Sequence, residues 1–123
     1  MSWQAKLTEH QLQISIAQLL DFYERQGKLK WHSVPNGGHM TPAMGRRRKQ
    51  EGMKAGAPDL VIYFRGGATV QVEVKTAKGR MSPVQKIWLN GCQRLNLPYV
   101  ICRGLGAIEA LVKSQGKGRV VAS

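Results

Sequence analysis

The sequence predicts an α/β fold in which a central mixed β-sheet is flanked by α-helices. Three observations carry this. Apolar residues recur at helical spacing near the N-terminus and again beyond residue 82, whereas the middle of the chain alternates at the spacing of strands. The elements run helix, strand, strand hairpin, helix, strand, helix, an order that lays helices against a sheet. A length of 123 residues suffices for one hydrophobic core, so one domain is expected over 1–123.

Thr8 and Gln11 form a capping-box pattern. The stripe Leu12, Ile16, Leu19, Leu20 and Tyr23 follows as the apolar face of a first helix, which Gly27 closes. Trp31 to Val34 reads as a short strand stopped by Pro35-Asn36-Gly37-Gly38. Residues 36 to 57 read as a long loop rich in glycine and cations, and loops of that length inside a compact domain are functional or disordered. Leu60 to Phe64 and Thr69 to Lys75 are strands joined by Arg65-Gly66-Gly67, a connection short enough for a hairpin. Ser82 at an N-cap, Pro83 at the first helical position and Gln85 two residues later open a helix that runs to about Asn96. Pro98 to Cys102 reads as a buried strand and Leu105 to Ser114 as a helix after a glycine break, with a last short strand near Arg119 to Val121. The chain shows no repeat and no linker.

Charge supplies the first functional constraint. Nineteen Lys and Arg against seven Asp and Glu give a formal net charge of +12, which points to a polyanion, and nucleic acid is the usual one. A basic membrane-surface protein would need a strongly cationic amphipathic helix, and the first helix carries few cations. Cys92 and Cys102 make no disulfide framework and show no zinc spacing; they read as small buried residues in a reducing compartment. The N-terminus lacks the apolar run of a signal peptide, and no stretch approaches ~18 apolar residues. A soluble cytoplasmic protein is expected.

The hairpin carries the sharpest chemical signal. Along Thr69 to Lys75, Val70, Val72 and Val74 point to one face, toward a helix-covered core, while Gln71, Glu73 and Lys75 point to the other. Asp59 stands at the entrance to the neighbouring strand, within reach of Glu73. Two converging carboxylates repel unless a proton or a cation lies between them. Mg²⁺ suits that place, and phosphodiester hydrolysis needs an activated water and neutralisation of charge on the phosphate, to which Lys75 adds. Glu-x-Lys in a strand also reads as an ordinary solvated face with surface ion pairs.

The wider pattern is more specific. Pro58-Asp59, thirteen residues, then Glu73-Val74-Lys75 resembles the PD-(D/E)XK (restriction-endonuclease-like) nuclease core. Glu9-x-x-x-Gln13, Val34-Pro-Asn-Gly-Gly38, Gly52-Met-Lys-Ala-Gly-Ala-Pro-Asp-Leu60, Gly79-Arg-Met-Ser-Pro-Val-Gln-Lys-Ile-Trp88 and a strand ending at Arg103 resemble one branch of it, the virus-type replication-repair nuclease (VRR-NUC) domain in its stand-alone bacterial or phage form. The resemblance implies that Asp59 and Glu73 bind Mg²⁺ or Mn²⁺ and that Glu9 completes the metal site from the first helix. It implies Lys75 as the motif lysine at the attacking water. It places Gln85 at the entrance of the site, against water or the scissile phosphate, in addition to its capping role.

Arg46, Arg47, Arg48, Lys49, Lys54, Lys78 and Arg80 are candidate phosphate contacts, with Asn36 in a glycine-rich turn that lets backbone approach a ligand. His10, His32 and His39 read as structural or exposed, and Trp88 as a core or dimer contact. By resemblance to Holliday-junction resolvases, stand-alone members imply a two-fold homodimer acting on branched DNA, four-way junctions first, with flap or linear DNA as the alternative. A basic DNA-binding module without turnover is the rival of another class.

Overall fold

A computed structural model describes residues 7–35 and 40–117. The elements are α1 (Glu9–Arg25), β1 (Leu29–Ser33), α2 (Pro42–Gln50), β2 (Leu60–Phe64), β3 (Thr69–Val74), α3 (Pro83–Arg94), β4 (Tyr99–Cys102) and α4 (Leu105–Ser114), with a single 3-10 turn at Arg65–Gly67. The four strands form one sheet in the order β1-β2-β3-β4. The β1–β2 and β2–β3 pairs are antiparallel, and β3–β4 is parallel, crossed over by α3. The sheet is therefore mixed, as the sequence predicts.

The alternation of β3 divides the molecule. Val70, Val72 and Val74 bury against Leu12, Ile16 and Leu20 of α1 and Ile108 of α4. These α1 residues fall at intervals of four, so one stripe of the helix meets the sheet. The opposite face is covered by α3, whose Leu89 and Cys92 pack on Tyr99 and Ile101 of β4. Both cysteines are buried and free. Both capping boxes read from the sequence are present, Thr8 with Gln11 and Ser82 with Gln85.

Several boundaries differ from the sequence reading, and β3 and β4 each fall one residue short of the ranges read, ending at Val74 and starting at Tyr99. β1 starts at Leu29 and stops at Ser33, because buried Leu29 pairs with Phe64 at the far end of β2. α3 ends at Arg94, and Asn96 then turns the chain with φ +55°. The largest correction concerns residues 36 to 57, which are not one loop. Thr41 accepts a hydrogen bond from the Met44 amide at 3.1 Å and starts α2, with Pro42 at its first position. No apolar periodicity marks this helix, since none of its residues is buried. The strand expected near residues 119–121 and the turn at 36–39 lie outside the described residues. No helix among the described residues is long and apolar enough to cross a membrane.

Candidate metal centre

Three carboxylates from three elements meet at the C-terminal end of β3. One oxygen each of Glu9, Asp59 and Glu73 lie within 4.8 Å of one another. The capping box at Thr8 fixes where α1 begins, which puts Glu9 at its first position, facing this end of the sheet.

Asp59 is held by backbone on both sides. Its amide donates to the Val72 carbonyl at 3.0 Å, and its carbonyl accepts from the Val34 amide at 2.8 Å. Its Oδ2 accepts from the Val74 amide at 2.7 Å. Ladder pairing between β2 and β3 reaches only Leu60↔Val72 at this end, so the carboxylate satisfies an amide that the strand leaves open.

Glu73 is 1 % exposed, which removes the solvated-face alternative for this residue. Its Oε2 accepts from Gln85 Nε2 at 3.0 Å, whereas its Oε1 is enclosed with no hydrogen-bond partner. Burial first, and the charge of Asp59 second, push its pKa from 4.5 to about 8; Glu9 adds to the rise and Lys75 opposes it. Lys75 follows two residues on and is itself buried.

A cluster of this kind costs free energy unless a proton or a cation occupies it. The all-oxygen donor set and the orphaned buried Oε1 fit a hard divalent cation. Without one, the raised pKa of Glu73 describes a proton in the same role.

Gln85 has both roles considered for it. Its Oε1 accepts from the Ser82 amide at 2.8 Å, closing the capping box, while its amide nitrogen reaches Glu73. Gly56 explains how α3 starts so close to the site. Its φ is +81°, and a Cβ there would stand 2.3 Å from the Val84 carbonyl oxygen, so only glycine lets the 52–58 segment lie against the first turn of α3.

Three neighbours have roles here that the sequence reading did not assign, although it read Trp88 as a core or dimer contact and Arg103 as the end of a strand. Tyr99 lies fully buried with a hydroxyl that has no hydrogen-bond partner, and its pKa is raised by burial first and by Glu73 second. A tyrosine in a strand read as buried was the available signal. Trp88 donates from Nε1 to Gln71 Oε1 at 2.7 Å, which ties α3 to β3 two residues before Glu73. Arg103 donates to the carbonyls of Thr76 at 2.7 Å and Gly79 at 2.8 Å, clamping the loop that leaves Lys75.

The candidate phosphate contacts are more dispersed. Arg46, Arg47, Arg48 and Lys49 are all exposed on α2, with Arg47 paired to Glu51 at 3.3 Å. Lys54 is exposed in the following turn, and Lys78 and Arg80 in the loop after β3. Arg48 and Lys54 share a concavity of about 470 Å³ with Pro58, next to Asp59 in the chain, and with Gln71, two residues before Glu73 along β3. Asn36 lies outside the described residues.

Residues 7–105 match the family model described as VRR-NUC domain. A solved structure described as a "VRR_NUC domain protein" is similar in fold, with a TM-score of 0.63 and 20% identity, over 90% of this chain and 89% of that one. No curated protein sequence matches the chain significantly.

Proposed function

The chain belongs to the VRR-NUC family of nuclease domains, and from that membership we propose that it is a Mg²⁺- or Mn²⁺-dependent endonuclease hydrolysing phosphodiester bonds of DNA. The observation that carries this is the convergence of Glu9, Asp59 and Glu73, with a buried, unpartnered oxygen on Glu73.

Glu9, Asp59 and Glu73 would hold the cation. When bound, it supplies Lewis acidity toward a phosphate oxygen and acidification of a water. The protein's own groups do the rest. Asp59 is oriented by the Val74 amide and Glu73 by Gln85, so neither carboxylate need reorganise when a cation arrives. Lys75 brings a positive charge to the face that carries Glu73, where it orients the attacking water and stabilises charge developing on the phosphate. Lys54, Lys78, Arg80 and the α2 cations grip the backbone of the nucleic acid, and we read Asn36 as a further contact.

The finer reading is a homodimer selective for branched DNA, four-way junctions first, working in the cytoplasm as one nuclease domain over 1–123. The outward stripe of α3 supports self-association. Val84, Ile87, Gly91 and Leu95 recur at helical spacing, and Ile87 and Leu95 are 70% and 71% exposed. Arg94, seven residues after Ile87, is the charged side chain at the edge of that stripe, and the apolar residues between Val84 and Leu95 leave the rest of it uncharged.

The test is cleavage of end-labelled four-way junction and matched linear duplex in Mg²⁺, Mn²⁺ or EDTA, with wild type and Glu73→Ala. Metal-dependent cuts on the junction that vanish in the variant support the whole reading. Equal cutting of both substrates keeps the nuclease and removes junction selectivity. Binding without cutting in either metal overturns the enzyme in favour of a DNA-binding module. Sedimentation of wild type against Ile87→Arg tests the dimer; a monomeric wild type would remove it.

A further inference from the structure

We propose that α2 enters the major groove of a B-form duplex beside the candidate site, which makes double-stranded DNA the form of substrate that the protein grips. The proposal rests on the nuclease reading and deepens it.

α2 is anomalous as a helix. At nine residues it is shorter than the ~12–15 residues that an isolated helix needs in water, and it buries none of them. What holds it is local: the Thr41 cap, Pro42 at its start, the Arg47–Glu51 pair and three cations in its last turn, where they complement the helix dipole. A helix that buries nothing in the core leaves most of its circumference open to a ligand, with Arg48 on the side of the concavity that reaches Pro58 and Gln71.

The charges use that circumference. Arg46, Arg47, Arg48 and Lys49 are consecutive, so at about 100° per residue they fan over roughly 300° of the helix. A single phosphate strand lying on the surface would meet only one face. A groove walled by phosphates on two sides meets opposite faces at once, and Arg46 and Arg48 lie roughly 200° apart. Dimensions agree with this arrangement. A helix with its side chains is about 10–12 Å across and the major groove of B-DNA about 12 Å wide, whereas the A-form major groove of RNA is too narrow for entry.

The first turn determines what the helix can read. Pro42, Ala43, Met44 and Gly45 carry no side-chain hydrogen-bond donor, so they can lie against base edges without encoding a sequence. The first turn therefore adds no hydrogen-bond readout of its own, and the width of the groove makes the helix selective for duplex shape. The concavity shared by Arg48, Lys54, Pro58 and Gln71 runs from the C-terminal end of α2 to the strand that carries Glu73. Pro58 adjoins Asp59, which gives a duplex held on α2 a route toward the carboxylates.

The test uses the whole chain in EDTA, with a mixed-sequence DNA duplex, the matching single strand and the matching RNA duplex. Binding is measured across a salt series, and dimethyl sulfate footprinting reads guanine N7 in the major groove against adenine N3 in the minor groove. The expected result is N7 protection with N3 left open, and weaker binding of single strand and RNA duplex. Changing Arg46, Arg47, Arg48 and Lys49 together to Gln removes the N7 protection and lowers the salt slope by roughly 3–4. Because α2 buries nothing, the global thermal unfolding curve of that variant should match wild type, although the helix itself loses the Arg47–Glu51 pair and its last-turn cations. Gly45→Pro breaks the Gly45 amide bond to the Thr41 carbonyl while keeping every charge, and it too should lose N7 protection. Protection at N3 in place of N7, equal affinity for the single strand or RNA duplex, or a Gly45→Pro footprint like wild type would each overturn the proposal. Metal-dependent cutting that persists alongside any of these leaves the nuclease standing and removes only the role of α2.

Discussion

Gln85 holds Glu73: its side-chain amide donates to Oε2 at 3.0 Å, while its own oxygen is anchored by the Ser82 amide at 2.8 Å. One residue thus starts a helix and orients a candidate ligand. Gln85→Ala is expected to reduce metal affinity or cleavage by roughly 10–100-fold, the usual cost of losing a group that orients a ligand. Gln85→Glu keeps an oxygen for the cap but sets a fourth carboxylate beside the cluster, and should be at least as damaging. Metal titration of both variants, read by thermal shift and by cleavage, checks this; a fully active Gln85→Glu would refute it.

Lys75 is buried beside the cluster without being one of its oxygen donors. Lys75→Met is expected to lower single-turnover cleavage by roughly 10²–10³-fold while duplex affinity in EDTA changes little. Parallel losses in binding and cleavage would place Lys75 on the DNA instead of at the reacting phosphate.

In the absence of metal, the stability of the protein depends on the proton held by Glu73. Its folded pKa of about 8 lies above the ordinary 4.5, so between those values the folded chain binds more protons than the unfolded one. Stability is therefore fully present below 4.5 and declines as pH rises through about 8. The shift corresponds to at most roughly 5 kcal/mol. Urea melts in EDTA at pH 5, 7 and 9 should show the midpoint falling for wild type and staying flatter for Glu73→Gln. Mg²⁺ should recover the alkaline loss only in wild type. Parallel profiles for the two proteins in EDTA would contradict the assignment.

Gly56 tests the packing that supports the site. A methyl group there meets the Val84 carbonyl, and the residue's φ of +81° disfavours any side chain. Gly56→Ala should destabilise by roughly 1–3 kcal/mol and cost activity beyond that loss, because the first turn of α3 carries Gln85. Denaturant melts set against cleavage at a temperature where both proteins are folded separate the two effects.

Much of this arrangement is legible in the sequence because burial writes it there. The Val70, Val72, Val74 alternation marks the core face of β3, and by difference it assigns Glu73 and Lys75 to the other. Ser82, Pro83 and Gln85 announce the start of α3 by local chemistry alone. What escapes is structure with no such cause. α2 leaves no periodic signature because nothing in the core selects its residues, and its only local mark is Thr41-Pro42. Tyr99 escapes for the opposite reason: within an apolar strand its hydroxyl is indistinguishable from any packed aromatic until Glu73 is placed near it.

The bond from the Val74 amide to Asp59 Oδ2 has a practical consequence for anyone disabling this protein. A single carboxylate closes the frayed corner of a sheet and also serves the candidate chemistry. Asp59→Ala would therefore unstitch the corner along with the reaction, and silence from such a protein could not be ascribed to chemistry alone. Glu73 has the reverse character: its charge burdens the fold, so neutralising it disarms the molecule and tightens it. The choice of dead control is already made by which of the two acids the scaffold depends on.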